Sequence, residues 1–298
     1  MRWSIRAWST GRPMTTITHI PAEPSWWRIF SRNRGSVVGA VVLVVLFALA
    51  IVAPMLLRFE AGRIDVGPSM APPSLVHLMG TDELGRDVFA RAAAGLSVSL
   101  MVGFGAATIS TFLGVVIGGL AGFFGRSIDA LLMRLTEIFQ VIPRFFLAVL
   151  LVAFFGASIF NILIAIAVLS WPEIARLVRG EFLSLRSRQF VDAARVAGAS
   201  RTSLIFGEIL PNALGPVVVN ATLMVGQAML LEAGLSYLGL GDPTKASLGQ
   251  MLQEAQQIMR SAWWTTAFPG MFIFLAVLSL NLVGDGLTDV LNPRARGR

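Results

Sequence analysis

FVDAARVAGASRTSLIFGEILPN, residues Phe190 to Asn212, is the stretch on which the fold turns. It sits between two apolar runs, yet it is too polar for lipid and too regular for a plain connector. Asp192-Ala193-Ala194, Gly198 and Ile209-Leu210-Pro211 are its fixed points. Val191 to Ala197 reads as a short helix, Gly198 as its break, and Ser200 or Thr202 as the cap of a second helix. Pro211 is expected to stop that second helix and start the next apolar span. Arg195 and Arg201 are cationic, while Ala193, Ala194 and Ala197 leave a smooth face of small residues. Two readings compete on pattern alone. The block is a basic helix lying on anionic lipid, or a helix that docks into a groove on a protein partner.

The flanking sequence is that of a polytopic membrane protein. Of 298 residues, 55% are hydrophobic and only 14% charged, with a mean hydropathy of +0.73. A bilayer core about 30 Å thick needs roughly 20 apolar helical residues. Six segments meet that length: Val37 to Leu57, about Leu96 to Phe124, Ile128 to Gly156, Ser158 to Arg176, Asn212 to Ala233, and Thr266 to Leu287. The N-terminus does not read as a signal peptide, because its polar lead is long and the apolar run beginning at Val37 is long enough to span. Met14 offers a second start.

The net charge of +7 is almost all arginine, with Lys245 the single lysine. In a membrane protein such an excess reports topology and anionic lipid rather than nucleic acid. Arg2, Arg6, Arg12, Arg28, Arg32 and Arg34 precede the first span, six arginines lie between Arg176 and Arg201, and Arg294, Arg296 and Arg298 close the chain. With six spans all of these fall on one side, so both termini are expected in the cytoplasm. The opposite side has Arg58, Arg63, Arg86 and Arg91 matched by Glu60, Asp65, Asp82, Glu83 and Asp87.

Several chemistries are absent from the sequence. There is no cysteine, which removes disulfides, thiolate metal sites and thiol nucleophiles. The two histidines, His19 and His77, are far apart and both in polar segments, so no histidine metal site is expected inside the membrane. A phosphate-binding loop needs a lysine after a glycine-rich turn. The one lysine stands in Gly241-Asp242-Pro243-Thr244-Lys245-Ala246, which has neither the glycine before it nor the hydroxyl after it. The chain therefore needs a partner or an ion gradient to do work.

Polar residues inside spans are costly and are functional candidates. Glu137, Gln140 and Arg144 lie around Pro143, with Glu137 and Arg144 seven apart and expected on one helical face. Pro143 is expected to kink that span. These three, with Asn220, Gln227 and Glu232 of the fifth span, are the candidate lining of a translocation path able to meet the charged ends of a peptide. An ion pair between subunits is the competing reading of Arg144. Asn281, Asp285 and Asp289 form an i, i+4, i+8 stripe that reads as helix–helix glue. Gly114, Gly118 and Gly122 are spaced for close helix approach, read first as packing within one subunit. On the outer side, Thr81 is expected to cap a helix running to Ala94, with Asp82 and Glu83 in its first turn and Asp82–Arg86 and Asp87–Arg91 as i,i+4 pairs. Asp82, Arg86 and Asp87 are the candidate outer gate or docking residues.

The opening block resembles the EAA loop of ABC importer permeases, with Asp192 where the pattern has glutamate. Three further stretches resemble the second permease of the dipeptide/oligopeptide/nickel-type importers. They are HLMGTDELGRD from His77 to Asp87, LSYLGLG from Leu235 to Gly241, and NLVGDGL from Asn281 to Leu287. Thr288 and Asn292 depart from that family's usual arginine and aspartate. The resemblance implies an all-α fold, a type I ABC importer transmembrane domain with six transmembrane helices. It implies a cytoplasmic tail over 1–36, a first helix over 37–57 and an outer segment with an interfacial helix over 58–94. A transmembrane domain over 95–287 and a tail over 288–298 follow. Asp192, Ala193, Ala194, Arg195 and Gly198 would seat the coupling helix in a cytoplasmic ATPase subunit. The implied partners are two ATPase subunits holding ATP and Mg2+, a second homologous permease subunit, and an extracytoplasmic substrate-binding protein. No cofactor is expected in this chain. Peptide cargo is the first reading, nickel or a metal chelate the alternative within the family. An ion-coupled secondary transporter is the alternative outside it, but would be expected to show inverted repeats.

Overall fold

Apolar runs in a membrane become helices because lipid offers no partner for free backbone groups. The structure is a computed structural model that describes residues 26–56 and 62–291. The arginines before Trp26, Met14, His19, Leu57, Arg58, Glu60 and the arginines from Arg294 onward lie outside the described residues. Among the described residues ten helices follow in order. They are α1 (Trp26–Arg32), α2 (Arg34–Leu56), α3 (Val88–Phe124), α4 (Arg126–Val141), α5 (Arg144–Phe155), α6 (Ile159–Leu185) and α7 (Gln189–Val196). Then come α8 (Arg201–Leu240), α9 (Leu248–Ala255) and α10 (Trp264–Leu291). Five of them, α2, α3, α6, α8 and α10, are long and apolar enough to cross a bilayer, and the bent pair α4–α5, taken as one broken span, brings the number to six.

α3 and α6 form the central pair. Gly114, Gly118 and Gly122 all face α6: a methyl group on Gly118 would come within 2.3 Å of the Ala175 carbonyl oxygen, and one on Gly122 within 2.6 Å of Phe182 Cβ. The spaced glycines thus serve packing within the subunit, as read. The buried side chains of Leu96, Ile174, Val178, Phe182, Met224 and Leu280 continue this contact toward α8 and α10. α2 lies along α10, and α8 packs on both α3 and α10. Arg186, just past α6, donates from Nη1 to the carbonyls of Gly122 and Phe123 at 3.1 and 3.0 Å, closing the end of α3. The Ser110 hydroxyl donates to the Ala167 carbonyl at 2.9 Å, so a buried polar group also ties α3 to α6.

Two expectations about helices fail for stated reasons. The third span is not one kinked helix. α4 and α5 meet at 81°, because Ile142 before Pro143 is extended (φ −94°, ψ 133°), as a residue preceding proline prefers. Glu137 and Arg144 are therefore on different helices and share no face. Pro211 does not stop a helix either. A π-turn at Leu204–Ile209 carries the chain through it into one long helix, α8, and the Asn212 amide donates to the Glu208 carbonyl at 2.6 Å.

Candidate functional site

The first half of the block, from Phe190 to Ser203, folds locally as read. α7 ends at Val196 with Ala197 as its C-cap, Gly198 takes φ +86°, which a side chain would resist, and the Ser200 hydroxyl caps the next helix by accepting from the Ser203 amide at 3.2 Å. One residue of α7, Val191, is fully buried. Asp192, Ala193, Arg195, Val196 and Ala197 are exposed, and Ala194 is half-buried. Asp192 accepts from Arg195 Nη1 at 2.8 Å. Val196 is 90% exposed, so an apolar knob stands at the end of α7. Sequence reading missed it, although a valine four residues before the Ser200 cap, between Arg195 and Ala197, was the available signal.

At the other end of the bundle the outer segment does not form the expected helix at Thr81. Thr81 makes an isolated bridge with Asp87, and Gly85 turns back at φ +66°, where a Cβ would strike the Gly67 carbonyl oxygen. The helix begins instead at Val88, and Asp87 is its cap: Oδ1 accepts from the Ala90 amide at 2.8 Å while Oδ2 pairs with His77 Nδ1 at 2.8 Å. With Asp87 so engaged, the expected Asp87–Arg91 pair does not form. Arg91 turns to Asp82 at 2.9 Å and to Glu254 of α9 at 2.8 and 3.2 Å. Arg86 completes the knot, reaching Asp82 at 2.6 Å and Glu254 at 2.7 Å. Asp82 also accepts from the amides of Leu84 and Arg86 at 2.9 and 3.0 Å. Trp264 Nε1 donates to the Thr81 carbonyl at 3.0 Å, fastening the segment to α10. A cavity of about 530 Å³ opens beside the knot, with Arg86, Arg91, Lys245, Gln250 and Glu254 on its walls. On the next loop, hydrogen bonds from the Thr244 hydroxyl and amide hold the Asp242 carboxyl below its ordinary pKa, and Asp242 Oδ2 accepts from the first amide of α6, Ile159, at 3.3 Å.

The candidate path residues separate. Arg144 opens α5, where its guanidinium meets Ser170 Oγ at 3.3 Å and Glu173 Oε2 at 3.5 Å, both on α6. Glu137 and Gln140 are exposed on α4, and no hydrogen bond or ion pair among the described residues joins them to Arg144. Asn220 is half-buried and Gln227 exposed; they stay seven apart on unbroken helix and share a face. Glu232 turns the other way. It is buried, and its carboxylate accepts from the Ser99 and Ser236 hydroxyls at 2.7 and 2.8 Å, so it joins α8 to α3 instead of facing outward. Asp289 accepts from the Asn33 amide at 3.3 Å, in keeping with the glue reading of its stripe. Glu173 is the functional candidate the sequence reading passed over. Its signal was a carboxylate inside an apolar run, close to where the span was expected to end.

Residues 114–297 match the family described as binding-protein-dependent transport system inner membrane component. Residues 25–73 match the N-terminal TM domain of oligopeptide transport permease C. The chain is 40% identical over 266 residues to the dipeptide transport system permease protein DppC of Alkalihalophilus pseudofirmus, covering 89% of this chain and 88% of that protein. It is 37% identical over 268 residues to the oligopeptide transport system permease protein OppC of Bacillus subtilis, covering 90% and 88%. It is also 37% identical over 278 residues to the di/tripeptide transport system permease protein DppC of Pseudomonas aeruginosa, covering 91% and 92%. An inward-facing structure of the MetNI methionine ABC transporter aligns with 65% of this chain and 94% of its own at 22% identity and a TM-score of 0.48. The chain therefore belongs to the inner membrane components of binding-protein-dependent transport systems, as an all-helical, multi-pass permease subunit of the dipeptide/oligopeptide/nickel-type branch.

Proposed function

We propose that this chain forms part of the translocation path of an ATP-driven importer of di- and oligopeptides, and that α7 couples it to a separate ATPase subunit. The carrying observation is α7 itself. One buried residue, Val191, fixes the helix, and Asp192, Ala193, Arg195 and Val196 are left exposed at the arginine-rich end of the bundle. Ala194 and the turn at Gly198 complete that docking surface. In this reading two cytoplasmic ATPase subunits hold ATP and Mg2+, a second homologous permease subunit closes the path, and an extracytoplasmic substrate-binding protein delivers cargo to the outer end. The names of the relatives, dipeptide and oligopeptide permeases, support peptide cargo. The arginine distribution supports a cytoplasmic location for both termini. Residues 95–287 act as the conducting domain, with the first span and outer segment added in front. Glu137, Gln140, Arg144, Asn220 and Gln227 line the path; Glu232 holds helices together behind it. Asp82, Arg86 and Asp87 act by keeping the outer surface rigid for docking, since their charges are spent on one another and on Glu254 and His77.

Replacing Ala193 by Glu and Val196 by Asp in the assembled complex tests the coupling. Both positions are exposed, so the variant permease is expected to keep its melting temperature and its permease partner. It is expected to lose the ATPase subunits on co-purification and to import peptide into proteoliposomes roughly tenfold more slowly or worse. Undiminished ATPase binding and uptake would overturn the assignment.

A further inference from the structure

Arg144 and Glu173 stand near the middle of the bent span and of α6, and their side chains are 37% and 40% exposed. An exposed charge at that depth is costly against lipid, so this face belongs on water or on another subunit. The contact between the two is also poor. At 3.5 Å it is longer than the 2.7–2.9 Å typical of charge-assisted hydrogen bonds. The same chain shows what a settled pair looks like: Arg91 takes Glu254 with both terminal nitrogens at 2.8 and 3.2 Å and adds Asp82 at 2.9 Å. Arg144 is moreover the first residue of α5, where the helix end is already positive and does nothing to stabilise a guanidinium. Its one other partner among the described residues, Ser170, is neutral. The cation is thus under-compensated, and the carboxylate opposite it is loosely held.

Resting on the peptide-importer reading, we propose that Arg144 and Glu173 are a two-charge reader for zwitterionic peptides. Arg144 takes the peptide's α-carboxylate, and Glu173, released from Arg144, takes its α-ammonium. The exchange replaces one long ion pair by two, and the net charge at the helix break stays zero throughout. Neutral or blocked peptides leave the resident pair closed and gain nothing from it. The break in the span is what makes this geometry: an unbroken helix through residues 141–144 would send Arg144 along the α4 direction, whereas the 81° turn starts α5 beside Ser170 and Glu173.

The test uses the complete complex in proteoliposomes and one tripeptide in four forms. These are free at both ends, amidated at the C-terminus, acetylated at the N-terminus, and blocked at both, and the binding protein is first shown to hold each of them. Wild type is expected to favour the free peptide over either singly blocked form. Arg144→Gln should remove the preference for free acid over amide, about tenfold for one charge-assisted contact, and leave the preference for free amine over acetyl. Glu173→Gln should do the reverse. Arg144→Lys, which keeps the charge and loses the fork, should retain part of the acid preference. Equal loss for all four forms in each variant would mean a purely structural pair and would overturn the proposal, as would unchanged ratios. A wild-type complex that imports none of the four with ATP would instead overturn the peptide reading on which the proposal rests.

Discussion

Asp82 and Asp192 are both aspartates, both lie outside the spans and both bind arginine, yet they do opposite things. Asp82 is 7% exposed and sits among Arg86, Arg91 and two backbone amides, with Glu254 beyond the arginines. The Asp192 side chain is 58% exposed, and its one ion-pair partner among the described residues is Arg195, three residues along the same helix. The outer segment turns its charges inward and finishes its bonding within the chain. The inner block turns its charges outward, on a helix moored by buried Val191 with half-buried Ala194 beside it. A surface completed by its own chain reads as scaffold, and one left incomplete reads as a socket. The same substitution should therefore tell the two ends apart.

The largest effect is expected at Asp82. Asp82→Ala leaves the buried Arg91 and half-buried Arg86 guanidiniums with Glu254 as their one shared carboxylate and strips two amides of their acceptor. Breaking a buried charge network from one side costs about 3–5 kcal/mol. The variant should melt well below wild type in detergent and yield little assembled protein. A melting temperature within a degree or two of wild type would mean that the knot contributes little and that the outer segment is held by Trp264 and Thr81 instead.

An intermediate effect is expected at Val191. Val191→Ala removes two buried methyl groups, roughly 1–3 kcal/mol. Because α7 has no other buried residue, that loss falls on the docking of α7 more than on the bundle. Amide exchange in Gln189–Val196 should quicken several-fold, while the amides of α3 and α6 hold their protection. Uniform loss of protection across the bundle would show that α7 and the spans unfold as one unit.

These contrasts were unevenly visible in the sequence. The inner block was legible because its determinants are local: Gly198 needs its left-handed turn and Ser200 caps three residues ahead. The glycine face of α3 was legible for the same reason, as a period-four pattern. The outer knot was not, because its closing residues, Glu254 and Trp264, are more than 160 residues away along the chain. Local spacing suggested i,i+4 pairs on a helix, but Gly85 at positive φ and the demands of the Asp87 cap gave a turn. Asp82–Arg86 survived as a pair without the helix that was its premise. The break at Pro143 was half legible: proline announced a departure from straight helix, but its 81° size depends on Ile142 being extended and on α6 receiving α5. Glu173 went unnoticed because its partner, Arg144, meets it only once that turn is made.

The smallest effect on stability, and the sharpest use of the comparison, belongs to Asp192. An exposed ion pair three residues apart contributes little, because water screens it and both side chains give up freedom to form it. Asp192→Ala should shift stability by no more than about 0.5 kcal/mol. A double-mutant cycle with Arg195→Ala should give a coupling of the same small size. If α7 is a socket, the same variant should nonetheless bind ATPase subunits less tightly, since the carboxylate lost to solvent in the free subunit is buried against the partner in the complex. The ratio of the two effects is the measure: a large loss of partner affinity on an unchanged permease at Asp192, and a large loss of stability at Asp82. A variant at Asp192 that melted early and kept its partner would reverse the comparison, making the inner block the scaffold and leaving the outer end to carry the docking.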